Sequence, residues 1–182
     1  MTVMRRVLPW AVGAALLVLA WLAVAIAPTD AQTEQPFRTT MPLGEQVSTR
    51  SLAGTLIDVR LTDRLLFGRW TAEGTWLVLD LELEATTAPE SLRWAELERP
   101  GGEKYRATER IDSLLDEPLS AGIPQRGVLV FELPESARGE HVRVDLGAML
   151  ADTRADGLLS VEVDLAELDA MPELRLDDEG RS

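Results

Sequence analysis

Three kinds of hydrophobic pattern succeed one another along the chain. Residues 7–27 (VLPWAVGAALLVLAWLAVAIA) are almost wholly apolar and carry no charge. As a helix this run spans about 30 Å, the thickness of a bilayer core. Residues 28–46 show neither a helical nor a strand period and are rich in Pro, Thr and Gln, which predicts an extended linker. From Val47 onward, short period-two segments alternate with turn residues.

The period-two segments predict individual strands. Ser51–Leu65 sets Leu56, Asp58, Arg60 and Thr62 against Ile57, Val59 and Leu61, and Gly54 marks a candidate bulge within it. Leu66–Gly74 holds Gly68 and Gly74 and reads as a loop. Thr75–Ala85 is the clearest strand. Leu77, Leu79, Leu81 and Leu83 share one face, and Trp76, Val78, Asp80, Glu82 and Glu84 the other. Leu and Glu also favour helices, but four clean alternations without an i, i+3, i+4 stripe argue for a strand. Leu92–Glu98 and Glu103–Ala107, joined through Pro100-Gly101-Gly102, predict a hairpin with Trp94 and Tyr105 paired near its base. Residues 108–126 read as a long connection with a short helical turn over Ser113–Asp116. Gly127–Leu133, Glu140–Leu146 and Leu158–Leu165 alternate again. About seven strands without intervening helices predict an all-β, antiparallel β-sandwich over residues 47–170. Residues 171–182 form an acidic tail, frayed from Leu176 onward.

Charge orients the first element. Arg5 and Arg6 precede the apolar run and the next basic residue is Arg38. The positive-inside rule then puts residues 1–6 in the cytoplasm and everything after Pro28 outside, on a single-pass transmembrane anchor. A cleaved signal sequence is the alternative. Ala31, preceded by Thr29, offers a cut that would release a secreted chain beginning at Gln32.

Charge also narrows the function. The formal net charge is -13; Arg5 and Arg6 are the only charged residues before Pro28, so the remainder carries -15. Such a surplus disfavours nucleic acid and anionic lipid and favours basic partners. There is no Cys, so disulfides, thiolate metal sites and Cys nucleophiles are excluded and an exported domain must rely on core packing. His141 is the one His and Lys104 the one Lys, which leaves little for a catalytic relay.

The candidate chemistry is correspondingly thin. Ser48, Ser51, Ser113 and Ser120 lack a nucleophile-elbow context. Asp112, Asp116 and Glu117, and separately Asp152 and Asp156, are acidic loop groups without calcium-loop spacing. Asp80, Glu82 and Glu84 could form a carboxylate pair, but they equally suit a solvated strand face. Trp70, flanked by Phe67 and Arg69, is the type of residue that anchors an interface, so Phe67, Arg69 and Trp70 are the candidate interface residues. No catalytic, cofactor-binding or metal residue is assigned. The expectation is a non-enzymatic, membrane-tethered extracytoplasmic accessory domain without cofactor, partnered by a membrane or cell-envelope protein. The alternative is a secreted sandwich that binds a small molecule or glycan.

Three stretches carry a family resemblance. Gly74-Thr75-Trp76-Leu77-Val78-Leu79-Asp80, Gly102-Glu103-Lys104-Tyr105 and Gly127-Val128-Leu129-Val130-Phe131-Glu132-Leu133-Pro134 resemble, in order and spacing, the DUF4352 family of exported bacterial domains. That family belongs to a telokin-like, immunoglobulin-like group that includes a mycobacterial secreted antigen. The turns depart from the pattern: Thr86-Thr87 stands where Asn is common, and Pro124-Gln125 where Pro-Gly is common. The resemblance implies an immunoglobulin-like sandwich and brings no catalytic residue with it.

Overall fold

The longest strands form where alternation is cleanest. In a computed structural model, which describes residues 37–148 and 157–176, the order along the chain is β1 (Arg38–Thr40), β2 (Gln46–Ser48), β3 (Leu52–Phe67), β4 (Trp70–Ala85), β5 (Glu90–Ser91), β6 (Trp94–Glu98) and β7 (Lys104–Arg106). There follow β8 (Pro118–Leu119), β9 (Gln125–Leu133), a 3-10 turn at Glu135–Ala137, β10 (His141–Gly147), β11 (Leu158–Asp164), β12 (Ala170–Met171) and β13 (Leu174–Leu176). The apolar run at 7–27, the cut near Ala31, Asp152, Asp156 and the acidic residues 177–179 lie outside the described residues. Among those described, no helix is long and apolar enough to cross a membrane.

Two sheets make a β-sandwich. The first has the order β1-β11-β10-β6-β7. The second has β4 at its centre, with β9 on one side and β3 on the other; β2, β12 and β13 pair in turn with the far edge of β3. Strands β5 and β8 form a separate two-stranded pair. The main core lies between the sheets. Leu77, Leu79, Leu81 and Leu83 of β4 meet Leu97 of β6, Val144 and Leu146 of β10 and Leu159 and Val161 of β11, all essentially inaccessible. The strongly alternating leucines thus face inward as their period requires.

Several expectations are corrected. There are more strands than seven, because short edge strands complete both sheets. The pairing is not purely antiparallel: β1 lies parallel to β11, and β12 and β13 lie parallel to β3. The expected linker over 28–46 already contains β1 and the first residue of β2, and Met41 is buried in the main core. The expected tail over 171–182 contains β13, whose Leu174 and Leu176 are buried. Segments of two or three residues show no period by themselves; they are strands only because a longer strand offers its edge.

The second long hairpin also differs from its reading. Leu66–Gly74 is not a loop. β3 runs to Phe67, β4 starts at Trp70, and Gly68-Arg69 alone makes the turn, with φ of 55° at Gly68. A two-residue hairpin turn with a positive φ at its first central position favours Gly there. Strict alternation along β3 would group Leu56 with the polar positions. A register shift between Leu56 and Asp58 instead puts Leu56 opposite Leu81 and Val59 opposite Leu79, so both serve the main core. The bulge therefore sits beyond Gly54. Gly54 is small for another reason: a Cβ there would lie 2.5 Å from Leu83 Cδ2 and 3.1 Å from Leu159 Cδ1.

Two further readings fail locally. Trp94 pairs with Gly147 of β10, and Tyr105 pairs with Leu97, so the two aromatics are not partners. Ser113–Asp116 forms no helical turn; Leu115 bridges Leu92, and Asp116 takes a φ of 63°. The connection instead serves β9, where Thr108 and Leu114 N–H groups donate to the carbonyls of Val130 and Val128. That covers an otherwise open sheet edge.

A second, smaller core covers the outer face of the second sheet. Trp76 and Val78 of β4 and Val128 and Val130 of β9 are roofed by Ile111, Leu174 and Leu176. β4 is therefore buried on both faces along much of its length, which one-sided alternation does not predict.

Candidate functional site

The charged groups that the sequence offers are mostly tied to one another. On the outer face of the first sheet, the buried Asp145 carboxylate accepts from Arg38 Nε at 3.0 Å, Arg143 Nε at 3.3 Å and Ser160 Oγ at 2.8 Å. Arg143 also reaches Glu98 at 2.7 Å, and Lys104 reaches Glu96 at 2.8 Å. The hydrogen bond to Glu96 raises the Lys104 pKa, because it stabilises the ammonium. These pairs alternate in sign across β1, β11, β10, β6 and β7 and bind the short edge strands to the sheet.

At one end of the sandwich, Arg99 forms a fork with Glu140, with both nitrogen–oxygen distances at 2.7 Å. It also pairs with Glu103 and approaches the Tyr105 hydroxyl at 3.5 Å. The bonds to Glu140 and Tyr105 hold the guanidinium pKa above its ordinary value, and Arg99 holds the Glu140 carboxyl below its own. This cluster joins the hairpin of β6 and β7 to the turn before β10. The Tyr105 that carries the family-like motif thus serves a structural ion cluster.

The residues singled out from the sequence have equally definite places. Phe67 and Trp70 face each other across the hairpin turn and are half-buried against the second core. Trp70 packs edge-on to Trp76, with ring centroids 5.7 Å apart and planes at 82°. Arg69 is exposed at the tip. Phe67 and Trp70 therefore come together, and their main contact is with the chain itself.

Asp80 is buried between Arg126, at 3.3 Å, and Arg60, at 3.7 Å, while Glu84 accepts from Gln46 at 3.1 Å. Asp80 and Glu84 are thus separately engaged, and the strand carboxylates do not face one another across a cleft. His141 is exposed, with Nε2 3.2 Å from Glu162 Oε2. Asp116 approaches Arg93 at 4.0 Å, while Asp112 and Glu117 line a separate hollow that also contains Arg126. Among the described residues, no three His, Asp or Glu side chains gather as a metal site.

One surface feature has the shape of a receiving site. Where the chain crosses from β1 to β2 it leaves an open groove of about 480 Å³. Met41, Leu43, Leu56, Val59, Val163 and Leu168 supply its apolar lining. Asp58, Glu162, Asp164 and Glu167 also line it, with no Lys or Arg among the lining residues. Leu43 is 65% exposed at the rim of the groove. Arg60 lies 3.4 Å from Asp58 and His141 3.2 Å from Glu162, while Asp164 and Glu167 have no ion-pair partner among the described residues, so the acid surplus shows most at those two. The sequence hides this site because it is assembled from three segments distant along the chain. The one local signal is the alternation Glu162-Val163-Asp164 near Glu167, which shows acidity but not the apolar floor it borders.

The groove sits on a sandwich with known likenesses in shape. A β-sandwich protein of unknown function from Clostridium difficile 630 is similar with a TM-score of 0.49 and 9% identity, covering 71% of this chain and 97% of that one. The yjhA protein of Bacillus subtilis gives 0.46 and 18%, covering 69% and 98%. The secreted protein MPT63 of Mycobacterium tuberculosis gives 0.49 and 13%, covering 71% and 99%. The chain matches no family model and no curated protein. The DUF4352 resemblance accordingly rests on its three motifs.

Proposed function

We propose that this chain is a non-enzymatic, immunoglobulin-like interaction module, held on the outer side of the cytoplasmic membrane by residues 7–27 and serving a basic membrane or envelope protein. The observation that carries the reading is the acid-lined apolar groove at Met41–Leu43, Leu56–Val59 and Glu162–Leu168. An apolar floor supplies contact area, and the acidic rim, with Asp164 and Glu167 outside any ion pair among the described residues, steers and selects a partner of opposite sign. The anchor is supported by the uncharged length of residues 7–27 and by Arg5 and Arg6 before them.

A photo-crosslinking residue at Leu43 in living cells tests the site, with Arg69 at the hairpin tip as the rival position. A discrete adduct from Leu43 supports the groove. An adduct only from Arg69 transfers the reading to Phe67, Arg69 and Trp70, and no adduct from either overturns it. Recovery of a mature chain starting at Gln32 from the medium overturns the anchor. The second reading, a secreted small-molecule or glycan binder, is favoured by the volume of about 480 Å³, which falls within the range of ligand sites.

A further inference from the structure

The groove lies beside a break in the strand pairing. The edge of β3 that faces away from β4 is covered piecewise. β2 pairs with Ala53–Thr55, Leu43 bridges Leu56, β12 pairs with Leu61–Thr62, and β13 pairs with Leu65–Phe67. Between Leu56 and Leu61 no described strand pairs with that edge. The uncovered stretch, Ile57–Arg60, is about 13 Å long at strand rise. Two of its residues, Asp58 and Val59, are walls of the groove. The Val59 N–H donates to the Asp58 carboxylate at 2.9 Å, a side-chain acceptor rather than a strand carbonyl.

We propose that Ile57–Arg60 accepts an added strand from the partner: an extended Lys- or Arg-bearing polypeptide segment that places one apolar side chain in the groove. This rests on the reading of the groove as the partner site and adds what the partner offers and how it is held. Strand addition draws affinity from main-chain hydrogen bonds at an unpaired edge and specificity from pockets for alternate side chains. Here the edge and the pocket adjoin. An extended segment along the gap directs one side chain to the floor formed by Met41, Leu56 and Val163. Its neighbours point the other way, toward Asp58, while Glu162 and Glu167 line the first-sheet wall and meet cationic heads at the ends of the segment. Arg60 Nε lies 3.4 Å from Asp58 Oδ2, so the acidic character is strongest at the Glu162–Glu167 side. Asp58 now occupies the Val59 donor, which keeps the bare edge from pairing indiscriminately, and it releases that donor when a carbonyl arrives. A polypeptide is favoured over a small cation because the gap supplies backbone groups as well as charge.

The test uses the full chain in detergent micelles and the synthetic heptapeptide Lys-Val-Lys-Leu-Lys-Val-Lys. The expected result is saturable, salt-weakened binding that slows amide exchange at Ile57–Arg60 by about tenfold or more. Val59→Pro removes the outward N–H at an edge position and should weaken binding by about tenfold. Leu168→Asp should abolish it. The exchange measurement on the unaltered chain decides the matter even if Val59→Pro unfolds. Loss with Leu168→Asp but no effect of Val59→Pro and no amide protection overturns strand addition while the groove reading stands. Indifference to both variants, or no binding of the peptide, overturns both. Binding of spermine as tight as that of the peptide also overturns the strand, since a small polycation has no backbone to pair.

Discussion

Replacing Gly54 by Ala should destabilise the domain, and the size of the effect can be worked from three contacts. The added Cβ would lie 2.5 Å from Leu83 Cδ2, 3.1 Å from Leu159 Cδ1 and 3.4 Å from Met41 Sδ. All three neighbours are buried in the main core, so none can retreat into solvent. Overpacking of one methyl into such a site costs about 1–3 kcal/mol. Ala in place of Gly within a strand returns about 0.5–1 kcal/mol through the unfolded chain. The net loss is about 1–2 kcal/mol, or about 3–7 °C in the melting midpoint of a domain of this size. Urea and thermal unfolding of the full chain in mild detergent, followed by tryptophan fluorescence, measures it. Leu83→Ala alone should cost about 2–5 kcal/mol by opening a cavity. In the double variant the new methyl occupies part of that cavity, so the combined loss should fall short of the sum by about 1 kcal/mol or more. A neutral Gly54→Ala, or strict additivity with Leu83→Ala, would refute close packing. Additivity would restore the bulge reading, since a backbone requirement at Gly54 is indifferent to Leu83.

Three further outcomes are expected. Leu174→Ala and Leu176→Ala should each cost about 2–4 kcal/mol and shift the emission of Trp70 and Trp76 to the red, because β13 roofs the second core; unchanged stability and emission would return residues 171–176 to a tail. Asp145→Asn should cost only about 1–2 kcal/mol by urea midpoint, since the partly exposed Arg38 and Arg143 can turn to solvent, and it should speed amide exchange in β1; a loss of about 4 kcal/mol or more would mean the two arginines are trapped. Glu140→Gln should flatten the acid limb of the stability curve. Arg99 depresses the Glu140 pKa, so the carboxylate contributes stability above the ordinary Glu value of about 4.3 and loses it as pH falls through the depressed one; an acid limb identical in both proteins would contradict the fork.

How far each element could be read from the sequence follows from how local its cause is. The Leu77–Leu83 face was legible because period two is a property of the strand itself. β1, β2, β12 and β13 were not, because each is too short to show a period and exists through the edge of a longer strand. Gly68 and Gly74 suggested a loop, but only Gly68 belongs to a turn, while Gly74 lies inside β4. Trp76 and Val78 read as the apolar start of a face that becomes solvated further along, with Trp76 itself in the core, but the sequence does not show their cover. What roofs them comes from Ile111 and Leu174, residues that no local pattern connects to β4. The candidate interface at Phe67, Arg69 and Trp70 was legible as a set of neighbours, yet the packing of Trp70 on Trp76 was not. The groove shows the same limit more strongly, since its walls come from both sheets.

The acid surplus and the piecewise edge belong to one physical arrangement. A sandwich without disulfides has to hold its short edge strands by other means, and here arginines do so: Arg38 ties β1 through Asp145, and Arg99 ties the β6–β7 hairpin through Glu140. Cations used in this way are satisfied inside the fold, so carboxylates in excess of them stay on the surface. Where the edge of β3 is paired, a neighbouring strand takes up its backbone groups. Between Leu56 and Leu61 no described strand does so, and Asp58 bonds the nearest donor with its own side chain. An edge left bare there would invite another copy of the chain to pair with it, and two such edges brought together would bring their carboxylates together as well. On the proposed reading, the same acidity that opposes self-pairing would attract a strand of opposite charge, so protection of the edge and choice of partner would follow from a single charge distribution.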